Sequence, residues 1–339
     1  MAWYEDAVEE GKVIYEEEPL EHFRVEKPIH GYERGTVIAK DIVIEPYPHI
    51  KRIMALEKGV KRYFKKPFWV EEKVDGYNVR IVWVKNNFLA LSRGGFVDWF
   101  AYDRVGQNIL EIAKKEGMVC CEVTGRTPHT TSPKKEVHFS IFDIAKGKEM
   151  MPTGERVKVV EKYGAESVPI YGQFNPNNIE GLKKLMIKLD RMGKEGIVMK
   201  GEDRAKYVTA SSSISQLAKS AKLFFDMPQN FYIQKLSRAY LFAKEMGLDA
   251  DKYLSEGARS YFSGIKQVLE NPGAAKETFS IEVSSEEVWN RIRKNIKEVK
   301  VVEKSREKTA KGFAITFDKL YTKTIKKVEQ FKSGKGLID

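Results

Sequence analysis

Three long stretches in the second half of the chain repeat apolar residues at spacings of three and four. This spacing puts the apolar side chains on one face of a helix, so we expect three successive helices, at residues 211–225, 229–246 and 250–269. From residue 278 onward the pattern predicts strand, helix, strand and helix. These are expected at residues 279–283, 285–296, 312–317 and 319–331, with Ser285 as the cap of the first helix.

The first 209 residues contain mostly short runs with the alternation of β-strands. We expect strands at residues 36–39 and 41–44 and a helix at 50–64. Between residues 67 and 209 the pattern predicts a β-rich region with a hairpin, in which residues 78–84 turn at 85–87 into residues 88–92. A further strand is expected at residues 118–123, where the adjacent Cys120 and Cys121 would point to opposite faces and form no disulfide with each other.

These elements together predict an α+β multidomain fold with an antiparallel-sheet core, a following helical module and a small α/β C-terminal unit. A chain of 339 residues is long enough for two or three such units. We expect an N-terminal α/β subdomain at residues 1–64, a β-rich domain at 65–210, a helical domain at 211–277 and a basic C-terminal domain at 278–339.

Charge indicates the kind of partner. The net charge of +11 favours an anionic partner, with nucleic acid the leading candidate and a solvated basic surface the alternative. The sequence contains no signal peptide and no apolar run near 18 residues, which predicts an intracellular, soluble protein without a membrane partner. Five scattered histidines and the absence of a Cys-x-x-Cys pair argue against structural zinc, and no P-loop motif is present.

The segment Lys73-Val74-Asp75-Gly76 joins a lysine to a glycine bend at the end of an expected strand. A desolvated lysine amine can attack phosphorus, a glycine lets a nucleotide approach the backbone, and Asp75 could hold the lysine or a metal ion. An exposed lysine before an ordinary turn is the alternative.

Two further segments repeat this combination of charge and glycine. Ser92-Arg93-Gly94-Gly95 suits a ribose or phosphate contact, although a simple glycine-rich turn would have the same sequence. Glu122 follows an apolar strand and could accept a ribose hydroxyl or bind Mg²⁺, or could simply face solvent.

The remaining candidates lie on two later strands. Residues 138–144 include Phe139 and Phe142, either of which could stack on a purine or belong to the core. In residues 195–200, Glu195 and Lys200 would face opposite sides of a regular strand unless the intervening Gly196 forms a bulge. Lys206 follows shortly afterwards.

Taken in order, these segments resemble the motif series of the covalent nucleotidyltransferase superfamily, which comprises ATP and NAD ligases and RNA capping enzymes. The resemblance covers residues 71–208, about two fifths of the chain. Within that superfamily the chain most resembles the archaeal ATP-dependent RNA ligases of the RNA-circularising type. Asn78 occupies a position at which DNA ligases and capping enzymes tend to have arginine, and this favours RNA over DNA.

The resemblance implies an antiparallel nucleotidyltransferase core of the ATP-grasp-like ligase type and a cytoplasmic enzyme that uses ATP and Mg²⁺, with Mn²⁺ as a substitute. It implies that Lys73 forms a covalent bond to AMP, which then activates an RNA 5′-phosphate for joining to a 3′-hydroxyl. It also implies a homodimer formed through the helical module. The implied nucleotide-binding residues are Glu71, Glu72, Val74, Asn78, Arg93, Glu122, Phe142 (for the adenine), Lys200 and Lys206, and the implied metal ligands are Glu195, Glu122 and Asp75.

One feature departs from the family pattern. The last motif usually has a second lysine two residues after the first, but this chain has Val208 there. The alternatives are a DNA ligase or capping-type transferase and, from a different class, a basic nucleic-acid-binding protein without catalysis. The RNA substrate and the choice between joining within or between molecules are not specified by the sequence.

Overall fold

The N-terminal elements form a small sheet of their own. The computed structural model describes residues 3–131, 136–296 and 299–335. Helix α1 (Trp3–Glu9) precedes strands β1 (Val13–Glu16), β2 (His22–Val25), β3 (Val37–Ala39) and β4 (Ile42–Ile44). The four strands pair in chain order, and each neighbouring pair is antiparallel. Strands β3 and β4 fall at the two positions where alternation predicts strands.

Two five-stranded sheets follow. The first has the order β11-β10-β9-β7-β8, and the second has the order β12-β6-β13-β14-β5. Their strands are β5 (Lys51–Arg52), β6 (Phe68–Lys73), β7 (Tyr77–Val84), β8 (Asn87–Ser92), β9 (Met118–Thr124), β10 (His138–Lys146), β11 (Glu149–Met150), β12 (Ile170–Phe174), β13 (Gly196–Lys200) and β14 (Arg204–Val208). Neighbouring strands are antiparallel except β14 and β5, so the prediction of an antiparallel core within an α+β fold is confirmed.

Five helices accompany these sheets: α2 (Leu56–Tyr63), α3 (Trp99–Arg104), α4 (Gln107–Lys115), α5 (Thr153–Lys162) and α6 (Ile179–Arg191). The prediction of one helix over residues 50–64 is wrong at its start, because residues 51–52 are extended and pair with β14. Helices α3 to α6 lie inside the region predicted only as β-rich. Helices α3 to α5 have six to ten residues, too few for a clear periodic pattern. Helix α6 has 13 residues, and its buried Ile179, Leu182, Met186 and Leu189 have helical spacing, so this helix could have been predicted.

The hydrophobic core divides between the faces of the sheets. One face of the first sheet packs on α3, α4 and α5, and its other face packs on β3 and β4. Cys121 belongs to the former cluster and Cys120 to the latter, so the neighbouring thiols do point to opposite faces as predicted, and both are free. The second sheet packs on α2, α6 and the helices that follow it.

Those following helices are α7 (Ala210–Ser220), α8 (Gln229–Glu245) and α9 (Ala250–Glu270), close to the three predicted stretches. Thr209 caps α7 and Asp249 caps α9 through their side chains. The last of the predicted stretches contains a glycine, Gly264, at which an added Cβ would lie 2.4 Å from the Ala221 Cβ. This close approach explains a glycine inside a helix.

The C-terminal elements are β15 (Lys276–Val283), α10 (Glu286–Asn295), β16 (Lys300–Thr309), β17 (Gly312–Leu320) and α11 (Thr322–Lys332). Ser285 caps α10 as predicted, accepting a hydrogen bond from the Val288 amide. The predicted succession omitted β16 and was therefore wrong. Strand β16 is an edge strand, in the order β15-β17-β16, and five of its ten residues are both exposed and charged, so it lacks the apolar alternation that would identify it.

Within the described residues, we find no helix with the length and apolar character needed to cross a bilayer.

Candidate active site

A cavity of about 490 Å³ lies between the two five-stranded sheets. Both sheets contribute side chains to it, and so does the loop that precedes β5. Most of the residues that the sequence selects line it, namely Glu71, Glu72, Lys73, Val74, Asn78, Arg93, Glu122, Phe142, Lys200 and Lys206. Six segments spread over residues 71–206 are thereby brought to one cavity.

Lys73 is the last residue of β6 and pairs in register with Gly196 at the start of β13. Its Nζ lies 2.6 Å from Oε2 of Glu195, a carboxylate whose side chain is only 9% exposed. Burial raises the pKa of Glu195, although the ammonium of Lys73 acts in the opposite direction. The nucleophile candidate is therefore in direct contact with a buried acid that holds protons more tightly than an ordinary glutamate.

Gly196 is required for this contact. Its φ is +151°, and an added Cβ would lie 2.2 Å from the carbonyl oxygen of Tyr207 on β14. No register shift occurs in β13, so the expected bulge is absent. Glu195 precedes the strand and contacts Lys73, while Lys200 lines the cavity.

Glu122 lies across the cavity on β9, opposite Asn78 on β7. Its Oε1 accepts a hydrogen bond of 3.2 Å from the Gly76 amide, and an added Cβ at Gly76 would lie 2.5 Å from the Val123 carbonyl oxygen. Burial raises the pKa of Glu122 to about 7; the Lys73 ammonium opposes that rise, and the negative charge of Glu195 adds to it. Two buried carboxylates therefore lie close enough to repel each other beside Lys73.

A network of buried charges forms the end of the cavity nearest α5. Glu71, which is 1% exposed, pairs with Arg156 on α5 at 2.9 Å and with Lys200 at 2.8 Å. Lys200 also lies 3.1 Å from Asp143 on β10. Burial alone would raise the pKa of Asp143, but Lys200 and Arg204 hold it below its ordinary value. Lys200 is thus neutralised by two carboxylates in the described structure.

Phe142 and Tyr47 form an aromatic corner next to this network. Their rings meet edge to face with centroids 5.1 Å apart, and the Tyr47 hydroxyl donates a 2.5 Å hydrogen bond to Asp143. Phe139, by contrast, is 7% exposed and packs in the core of the first sheet on its helical side. Of the two phenylalanines that the sequence proposed, Phe142 lines the cavity.

Arg93 lies at the opposite side, in the exposed turn after β8. The turn is held from behind by Arg80, a fully buried arginine that donates hydrogen bonds to the carbonyls of Ser92 (3.0 Å) and Gly35 (3.1 Å) and to that of Glu45. An added Cβ at Gly95 would lie 2.8 Å from the Gly35 carbonyl oxygen. The N-terminal sheet and the Arg93 turn are therefore in close backbone contact.

The three predicted metal ligands, Asp75, Glu122 and Glu195, are near enough for their charges to interact. Asp75 is exposed between β6 and β7, and its charge acts on both Glu122 and Glu195. Within residues 3–131, 136–296 and 299–335, no three metal-ligating side chains are close enough together to hold an ion by themselves. A pair of carboxylates remains, Glu122 and Glu195, of the oxygen-donor type that Mg²⁺ prefers when phosphate and water complete its shell.

Sequence reasoning missed several cavity residues. Tyr47, Pro48 and Ile50 come from the segment before β5, and Asp98 and His129 lie beyond the Arg93 turn. The tyrosine between two prolines, at residues 46–48, is a signal that could have been noticed, because such a rigid aromatic segment seldom lies in an ordinary loop. For Asp98 and His129 the sequence carried no comparable signal.

Known proteins resemble this chain in both sequence and fold. The sequence model of the RNA ligase family matches residues 66–219. A solved structure described as "Putative ATP-dependent DNA ligase from Aquifex aeolicus" is 32% identical, with 99% of each chain covered and a TM-score of 0.90. An archaeal ATP-dependent RNA ligase has the same fold, at 22% identity and a TM-score of 0.87, over 98% of this chain and 95% of that one.

The fold and the family match define a ligase of the nucleotidyltransferase superfamily. The chain belongs to the RNA ligase family. It is also 27% identical to an uncharacterized protein of Methanocaldococcus jannaschii, over 95% of this chain and 91% of that protein.

Proposed function

We propose that the protein is an ATP-dependent RNA ligase that forms a covalent lysyl-AMP intermediate on Lys73. The observation that carries the proposal is the 2.6 Å contact between Lys73 and the buried Glu195 in a cavity large enough for a nucleotide. Family membership supports the reaction class, because ligases of this superfamily activate ends through nucleotidyl transfer.

In the proposed first step, Lys73 Nζ attacks the α-phosphorus of ATP. A nitrogen–phosphorus bond forms as the bond to pyrophosphate breaks, and Glu195 accepts the proton that the ammonium must lose. The raised pKa of Glu195 suits a proton acceptor at neutral pH. An RNA 5′-phosphate then takes AMP from Lys73, and a 3′-hydroxyl displaces AMP to form the phosphodiester.

The remaining residues would bind the nucleotide. Phe142, with the apolar Val168 and Val198, offers a surface for the adenine, while Arg93 and Glu122 are placed for the ribose and phosphates. Lys200 is already paired with Glu71 and Asp143, so we propose that it positions that end of the cavity and contacts the nucleotide less directly than the resemblance implies. Glu122, with Asp75 nearby, would hold Mg²⁺, or Mn²⁺ in its place, which would neutralise charge on the phosphates. Glu195, a metal ligand by resemblance, is assigned to the Lys73 proton instead, because a carboxylate bound to Mg²⁺ could not accept that proton.

The test is incubation with Mg²⁺ and ATP labelled at the α-phosphate, after bound AMP has been removed with pyrophosphate. We expect the label to remain on the protein in a denaturing gel and to disappear in Lys73→Ala, because the attacking amine is then absent. Label from GTP in preference to ATP would indicate a capping-type enzyme. Absence of label from the wild-type protein would contradict the proposed chemistry.

The acceptor needs its own comparison, because the Aquifex aeolicus relative is described as a DNA ligase. Asn78, at a position where DNA ligases tend to have arginine, supports RNA. Matched RNA and DNA strands with 5′-phosphates should therefore differ, with sealing of the RNA at least about tenfold faster, since one lost 2′-hydroxyl hydrogen bond has an effect of this size. Equal or faster sealing of nicked DNA would reassign the substrate.

We also propose that residues 211–277, whose helices α7 and α8 share a core with the second sheet, form the interface of a homodimer. Apolar side chains exposed on its helices support this, with Ile233 65% and Phe262 66% exposed. Phe262→Glu should convert a dimer into a monomer in light scattering, because a buried charge at an interface is unfavourable. Lys158→Glu, on the exposed face of α5, is the matched control. A monomeric wild-type protein would contradict the proposal.

A further inference from the structure

Four basic residues meet where the second sheet contacts the helical module. Arg52 on β5 pairs in register with Lys206 on β14, so the two side chains are neighbours in the sheet. Lys235 and Arg238 lie three residues apart on α8, and therefore on one face of that helix. We refer to these four residues as the basic cluster. Only Lys206 lines the cavity described above.

Lys235 is buried, Lys206 and Arg238 are partly buried, and Arg52 is exposed. Lys235 is 7% exposed, and its Nζ is hydrogen-bonded to the Gln216 side chain. The Nε of Arg238 is buried and has no hydrogen-bond partner among the described residues. In the described parts of the chain, no carboxylate forms an ion pair with any of the four. The charge of Glu195 acts on Lys206 and Lys235, but Glu195 is already paired with Lys73. An anionic ligand would therefore still lower the cost of holding these cations together.

Electrostatics connects the basic cluster to the nucleophile. Burial lowers the pKa of Lys235 to about 8, and the charges of Arg238, Arg52 and Lys73 contribute to that decrease. Burial also lowers the pKa of Lys206 to about 8, with further contributions from Arg52, Lys73 and Arg93. The cations are therefore close enough to repel one another, and the cluster adjoins Lys73 on the side of the helical module.

We propose that Arg52, Lys206, Lys235 and Arg238 form a phosphate subsite that binds the group lying opposite Lys73 across the reacting phosphorus. This inference rests on the proposed function. In an in-line displacement, the attacking and leaving atoms occupy opposite sides of the phosphorus. Pyrophosphate departs from that side when the bond to Lys73 forms. The RNA 5′-phosphate must approach from the same side when that bond breaks and the electron pair returns to the lysine nitrogen.

One subsite would therefore serve two ligands of the same chemistry, pyrophosphate and a terminal phosphate monoester. It would also give the helical module a part in the reaction, since α8 supplies two of the four cations. Arginine suits this position because its guanidinium presents several donors to phosphate oxygens and keeps its charge when partly buried.

The experiment uses full-length protein carrying labelled lysyl-AMP. Discharge of the label is measured in single turnovers against increasing inorganic pyrophosphate and, separately, against a 5′-phosphorylated oligoribonucleotide. In Arg238→Gln and Lys235→Gln we expect the half-saturating concentration of both probes to rise about tenfold or more, the size of one lost charge-assisted hydrogen bond. Lys235→Arg should restore most of the loss.

Arg259→Gln is the matched control, because Arg259 is exposed on α9 and, among the described residues, donates its hydrogen bond to the Ser255 carbonyl of its own helix. Its half-saturating concentrations should equal those of the wild type. A rise for one probe alone would overturn the shared subsite, and so would unchanged values for both. Failure of the wild-type protein to form lysyl-AMP would instead contradict the proposed function, so the two failures are distinguishable.

Discussion

Glu195→Gln should slow the formation of lysyl-AMP by about 100-fold or more, the usual contribution of a positioned general base. The glutamine side chain keeps the size of the carboxylate but cannot accept the proton that Lys73 must lose before it attacks phosphorus. The 2.6 Å contact leaves no room for a water molecule to take over this role. The rate is measured from incorporation of labelled ATP at saturating ATP concentration.

A pH series separates this role from a structural one. Alkaline solution removes protons from ammonium groups without the help of a carboxylate, so the variant should recover part of its rate as pH rises, whereas the wild type should gain less. Glu180→Gln, at an exposed position on α6, is the control and should behave as wild type. A Glu195→Gln rate within about threefold of wild type at neutral pH would show that Lys73 loses its proton by another route.

Arg156→Met should reduce the free energy of unfolding by about 3 kcal/mol or more. Arg156 is fully buried, pairs with Glu71 and donates a hydrogen bond to the Phe142 carbonyl, so its loss leaves a buried carboxylate with one cation fewer. Urea denaturation followed by circular dichroism measures the change. Methionine approximates the volume, so the loss of charge dominates over the loss of packing.

The double variant Glu71→Gln with Arg156→Met provides the second half of this test. Removing the negative charge as well should recover part of the lost stability, because the uncompensated carboxylate is then absent. A double variant less stable than Arg156→Met would mean that Glu71 is held mainly by Lys200 and that the arginine contributes by packing.

Local patterns predicted the elements near the site better than their contacts. The hairpin of β7 and β8, the strand containing Glu122 and the three helices after residue 210 follow from alternation and from three-and-four spacing. Strand β16 was missed because exposed edge strands carry charges in place of apolar alternation. Helix α2 begins later than expected because pairing with β14 draws residues 51–52 into a sheet, and such pairing is not encoded locally.

Some residues of the candidate site could be predicted from the sequence, and others could not. Lys73, Glu122 and Glu195 were selected from short motifs in which charge and glycine occur together; Lys73 and Glu122 line one cavity, and Glu195 contacts Lys73. Arg156, Asp98 and Lys235 were not selected, since their importance depends on burial and on partners that are distant in the sequence, such as Glu71 for Arg156. A single sequence therefore reveals the reactive residues of a site better than it reveals the buried residues that support them.

The contacts that residues 35–47 make with later segments determine when the cavity can be completed during synthesis. Tyr47 leaves the ribosome early, but its partners Asp143 and Arg204 are synthesised about 100 and 157 residues later. The backbone around Gly35 likewise cannot make its contacts until Arg80 and the Arg93 turn have been synthesised. Contacts of such long sequence separation form slowly. The cavity can therefore be completed only when roughly 200 residues have emerged, so a nascent chain should acquire nucleotide binding late and in one step.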